Sequence, residues 1–119
     1  YSAWRTVIHS GNIASQTVTY ATGETLATDF LSNSGYRILS RNVHSVYGEI
    51  DIIALDSDEI VFIEVKTRSG HALKNAENSI NPAKQRKLTL TAMKYISDHP
   101  QYANHSCRFD VVIGILQKR

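Results

Sequence analysis

Two runs rich in β-branched residues, Gly48 to Leu55 and Ile60 to Lys66, are separated only by the polar stretch Asp56 to Glu59. This pattern reads as a β-hairpin, and strands so apolar on both faces belong in the middle of a sheet. A two-residue loop at Ser57 and Asp58, or a four-residue loop from Asp56 to Glu59, keeps the sum of paired residue numbers constant and sets Asp51 opposite Glu64. Directly paired side chains have Cβ atoms about 4.5–5.5 Å apart, so two carboxylates placed this way repel. A divalent cation such as Mg²⁺ or Mn²⁺ would compensate: Mg²⁺ is a hard ion held by one or two carboxylates, with water and substrate phosphate completing its shell. Side chains alternate along a strand, so Lys66 shares the face of Glu64.

Two carboxylates and an ammonium on one face suit phosphodiester hydrolysis. The ion activates water and neutralises charge developing on phosphate, while the lysine positions that water or helps to activate it. The alternative is a solvated sheet face carrying an ordinary salt bridge. Weighing against it is the apolar character of both strands, because burying charges is costly without a partner or an ion.

The rest of the chain supports an α/β reading. From Gly23, Leu26, Ala27, Phe30 and Leu31 recur at helical spacing up to Asn33, Ser34 and Gly35, which predicts a helix over 17–33 with a glycine cap. Tyr36 to Arg41 reads as a strand before the hairpin, and Ser69 to Ile80 as a loop. Asn81 before Pro82 is a helix start. The helix should end near Asp98, with Leu88, Ala92, Met93 and Ile96 on its apolar face. Phe109 to Leu116 is nearly all apolar and reads as a strand covered on both faces. A βαβ crossover would set it parallel to the second hairpin strand. Residues 1–16 show no sustained period and are assigned to an arm or an ill-defined helix, leaving 17–119 as a single domain.

Composition adds boundaries. A chain of 119 residues, 42% hydrophobic and 20% charged, is long enough to bury one core. A net charge of +2 and a pI near 8.8 are compatible with a polyanionic partner without requiring one. The lone Cys107 cannot form an internal disulfide, and no apolar run approaches the roughly 20 residues of a membrane helix. A cytoplasmic protein with no membrane partner is the expectation. Tyr1 stands first in place of methionine, which is compatible with a removed leading segment. The histidines, His9, His44, His71, His99 and His105, lack the spacing of a zinc site. No phosphate-binding loop, dinucleotide fingerprint or nucleophile elbow occurs.

Asp51 with Glu64-Val65-Lys66 resembles the metal site of the PD-(D/E)xK nucleases of the restriction-endonuclease-like fold. A wider string is more specific: Gly23-Glu24, Ala27, Gly35-Tyr36, Gly48-Glu49-Ile50-Asp51, Phe62 to Arg68 and Arg108-Phe109-Asp110-Val111-Val112. In this order it resembles the YraN family of small uncharacterised proteins, over roughly Gly23 to Ile113. That family is regarded as similar in fold to archaeal Holliday-junction resolvases. The resemblance therefore implies a mixed central sheet flanked by helices, and an endonuclease acting on DNA, double-stranded or branched, as a monomer or a homodimer. A non-catalytic nucleic-acid-binding or interaction module on the same fold is the rival reading.

Carried over by motif, Asp51 and Glu64 are the metal ligands, the Val65 carbonyl is a third, Lys66 is the catalytic lysine and Glu24 is the first-helix acid. Glu24 precedes Ala27 and Leu31 by three and seven residues and can lean toward the core. The alternative is an exposed glutamate favoured by the helix dipole. Lys84 precedes Leu88 and Ala92 by four and eight residues, as an auxiliary site residue or as a surface lysine. Arg68, Lys74, Arg86 and Lys87 are candidates for phosphate contacts, or are simply solvated. His44 departs from the family's usual basic residue at its position. Asp110 reads as a structural partner of Arg108.

Overall fold

The hairpin forms in the register its sequence dictates. In the computed structural model, which describes residues 4–10, 20–69 and 81–116, β3 (Gly48–Asp56) and β4 (Glu59–Ser69) run antiparallel, with Ile52 paired to Ile63 and Asp56 to Glu59. Ser57 and Asp58 are thus a two-residue loop, and Ser57 takes a positive φ of 56°. Such a conformation lets a tight hairpin follow the twist of its strands.

Around this pair the described strands form a five-stranded sheet in the order β1-β5-β4-β3-β2. β2 (Arg37–Ser45) is antiparallel to β3, and β5 (Ser106–Leu116) is parallel to β4, as the crossover reading required. Trp4–Ser10, expected as an arm or a helix, are a strand instead, β1, parallel to β5. Thr6, Val7 and Ile8 suit a strand, and pairing with a distant neighbour supplies what local periodicity lacked. β2 continues four residues beyond its expected end at Arg41. It absorbs an extra residue between Ile38 and Ser40, and Asn42 adopts a φ of 53°. The run Ser69 to Ile80, read as a loop, begins at the last residue of β4 and otherwise lies outside the described residues.

Among the described residues, two α-helices cover the two faces. α1 (Tyr20–Asn33) ends as its sequence signals: Gly35 has a φ of 94°, and the Tyr36 and Gly35 N–H groups donate to the Leu31 and Ser32 carbonyls. This double return satisfies carbonyls left over at the helix end and brings Tyr36 near Leu31. Ala27 and Leu31 of α1 pack on Ile52, Ala54, Val61, Ile63 and Val112. α2 (Pro82–Asp98) starts where Asn81-Pro82 places it, the Asn81 side chain accepting from the Lys84 N–H at 2.8 Å. Leu88, Ala92 and Tyr95 pack on Ile53, Ile60, Phe62, Phe109 and Val111. Met93, expected on the buried face, is exposed, whereas Thr91 and Tyr95 are buried. Tyr95 wins that place because its ring meets Phe62 edge-on while its hydroxyl reaches Ser40. Among the described residues no helix is long and apolar enough to cross a membrane. This mixed α/β sheet with a helix on each face is compatible with a restriction-endonuclease-like architecture.

Candidate functional site

The site lies where β3 and β4 part company. Their ladder runs from the turn to Ile52 and Ile63, and the next position in register is Asp51 opposite Glu64. Here the Asp51 side chain replaces a ladder contact: its Oδ2 accepts the Val65 backbone N–H at 2.7 Å. Strict alternation is also broken nearby, since Ile50 and Ile53, three residues apart, both join the cluster under α2. Asn42, with its left-handed backbone, stands beside this break on β2, between the pairs Arg41–Ile52 and Val43–Ile50.

Asp51 is 3% exposed and Glu64 8%. Burial, and then the adjoining Glu64 carboxylate, push the Asp51 pKa up to about 7, against the opposing pull of the Val65 N–H; the charge of Glu24 adds to the rise. Glu64 behaves oppositely. Burial works against its charge, but the hydrogen bond with Asp51 and the nearby Lys84 and Lys66 ammonium groups hold its pKa below the usual value. The opposite shifts mean that a proton is favoured on Asp51 over Glu64, as expected when two carboxyls cannot both ionise cheaply.

Lys84, from the first turn of α2, sets its Nζ 2.7 Å from Glu64 Oε2. Burial opposes the lysine's charge, yet Glu64 raises its pKa overall, and Lys66 lies within hydrogen-bonding reach of it. At this distance the buried Glu64 Oε2 takes a charge-assisted contact from the Lys84 ammonium. Glu24 is buried rather than a solvated helix-start residue, and Arg41 Nη2 donates to its Oε1 at 3.3 Å. The sequence places Arg41 at the end of a strand and gives it no partner. Its pairing with Ile52, one residue from Asp51, is the signal that a longer β2 would have given.

The structure thus gathers Asp51, Glu64, Lys66 and Lys84, with Glu24 close enough to influence Asp51. Among the described residues, no three His, Cys, Asp or Glu side chains converge as a metal cage. Arg86 and Lys87 are exposed on α2 beyond Lys84. Arg68 lies on β4 in register with Ile115, and Lys74 is outside the described residues. His44 lies 3.1 Å from Glu49, its partner across the β2–β3 ladder.

A second charged group, near the hairpin turn, is structural. Arg108 donates to both Asp110 oxygens at 3.0 and 3.1 Å, to Glu59 at 2.7 Å and to the Tyr36 hydroxyl at 2.9 Å. Burial works against the guanidinium, but Asp110 and Asp56 outweigh it and raise its pKa. The sequence pairing of Asp110 with Arg108 is realised here.

Comparison with known proteins finds relatives over most of the chain. A protein of Clostridium botulinum strain 657 is 49% identical over 94 residues, covering 79% of this chain and 76% of its own length. One from Francisella tularensis strain WY96-3418 is 46% identical over 90 residues, covering 75% and 77%, and one from Pseudomonas putida strain GB-1 is 39% identical over 99 residues, covering 83% and 80%. All three carry the family name UPF0102, without a stated activity. With the model for that family also matching residues 23–113, a span holding every acid and lysine of the site, the chain belongs to the uncharacterised protein family UPF0102, the YraN family its motifs resemble.

Proposed function

We propose that this protein is a metal-dependent endonuclease that hydrolyses phosphodiester bonds in DNA, with Mg²⁺ or Mn²⁺ as its ion and double-stranded or branched duplexes as substrates. The observation that carries the reading is the burial of Asp51 against Glu64 where the ladder opens, at the cost of a proton retained on Asp51. The donor set fits a hard divalent cation that needs only one or two carboxylates and completes its shell with water and phosphate. Asp51 and Glu64 would hold it, with the Val65 carbonyl as backbone donor. When bound, such an ion supplies Lewis acidity and neutralises charge developing on the phosphate.

The chain's own residues supply the rest. Lys66, on the Glu64 face, positions the attacking water. Lys84, drawn from Glu64 toward substrate, places positive charge by a phosphate oxygen, where preorganised charge lowers the barrier most. Glu24, held by Arg41, tunes the proton affinity of Asp51. Arg68, Arg86 and Lys87 neutralise flanking phosphates and set register without reading sequence. A homodimer would present two such sites to a substrate with twofold symmetry.

The Lys84 contact favours a second reading, a non-catalytic nucleic-acid-binding module, because an ammonium already neutralises the carboxylate an ion would need. Chelator-stripped protein incubated with linear, flapped and four-way-branched duplexes, with and without Mn²⁺ or Mg²⁺, separates the two. Metal-dependent cutting, lowered by a factor of about 10²–10³ or more in Asp51→Asn and Glu64→Gln with DNA binding retained, is the expected result. Binding with no cutting of any of these structures establishes the second reading instead.

A further inference from the structure

The loop joining β2 to β3 consists of Val46 and Tyr47, between the paired residues Ser45 and Gly48. Val46 is 94% exposed and Tyr47 45%, so an aliphatic and an aromatic side chain stand side by side in solvent at a hairpin tip. This tip is fastened. Ser45 Oγ receives the Tyr47 N–H at 3.0 Å and lies 2.8 Å from the hydroxyl of Thr91, a buried residue of α2. Gly48, with a φ of 155° that only glycine takes readily, runs beside Lys87 of the same helix.

The helix therefore measures how far the tip stands from the acids. Lys84 touches Glu64 and Thr91 touches the base of the tip, seven residues apart, or about 10 Å along a helix axis. That distance equals about three base steps of duplex DNA at 3.4 Å each. Lys87 lies between the two, and Arg86 is exposed next to it. Glu49, at the base of the tip, contacts His44.

We propose that Val46 and Tyr47 form a wedge that engages an unstacked base about three steps from the phosphate that Lys84 places beside Asp51 and Glu64, so that the site selects DNA with an interrupted base stack. The inference rests on the reading of DNA as the partner of that site. Two residues cover far too little area for a stable protein interface, which needs roughly 800 Å² on each partner. One apolar wedge beside one ring is, in contrast, what parting a base step requires, with flanking cations to hold the backbone.

The test is binding in EDTA, where no cleavage occurs. The probes are a four-way-branched duplex carrying 2-aminopurine beside the branch point and a linear duplex of the same sequence. Wild-type protein is expected to prefer the branched probe and to change its 2-aminopurine emission. Tyr47→Ala and Val46→Ser should each lower affinity for the branched probe about tenfold and abolish the emission change, with linear affinity within twofold, whereas Tyr47→Phe should behave as wild type. Because both side chains are exposed, circular dichroism and melting temperature should match wild type. Unchanged branched-probe affinity in both variants, or an equal loss on both probes, would overturn the proposal. Tip-dependent binding by a protein that never cuts would leave the wedge standing and remove only the endonuclease reading.

Discussion

Asp51 holds its proton up to about pH 7, well above the range of an ordinary aspartate, because burial and Glu64 penalise its charge. The folded state therefore binds a proton that the unfolded chain has already released. Stability contributed at this position falls as pH rises from about 4 to about 7, and the full penalty remains above 7. Asp51→Asn keeps an acceptor for the Val65 N–H but never ionises. In chelator, urea titrations should find it more stable than wild type at pH 8, by up to about 4 kcal/mol, with the gap closing toward pH 4. A gap that is constant with pH would contradict this. Arg108 gives the opposite case, a charge whose removal strands its partners. Arg108→Met leaves Asp110 buried without its cation, and a loss of about 3–5 kcal/mol in the same titration is expected.

At the level of elements, the first turn of α2 delivers Lys84 to Glu64, so its cap and the site are linked. Asn81→Ala should cost about 1 kcal/mol, lowering the urea midpoint with an unchanged slope. The signals for α2, the end of α1 and the β3–β4 register were local, set by Asn81-Pro82, Gly35 and a short polar turn, and they were readable in advance. What was not readable depended on partners. Local pattern ends β2 at Arg41, because the added residue near Leu39 and the left-handed Asn42 break the alternation that marks a strand. Hydrophobicity favours Met93 over Tyr95 for the core, whereas Phe62 and Ser40 across the interface decide for Tyr95.

For the molecule as a whole, the hairpin, the two described helices and the parallel crossover followed from the spacing of apolar runs, the mixed sheet flanked by helices followed from the family resemblance, and the candidate acids and lysines meet where two central strands separate. The attachment of Lys84 to Glu64 and of Arg41 to Glu24 depends on how helices settle on the two faces, which no single stretch encodes. β1 was the least legible element for the same reason taken furthest, since Trp4 finds its neighbour at Phe109. That separation also affects synthesis. At about 5–20 residues per second, β1 leaves the ribosome some 5–20 s before β5 exists to receive it. Throughout that interval its backbone donors and acceptors are open to any nascent strand within reach. The cell must keep this segment soluble until its mate arrives, and crowded translation should strain that task well before it touches the hairpin of acids.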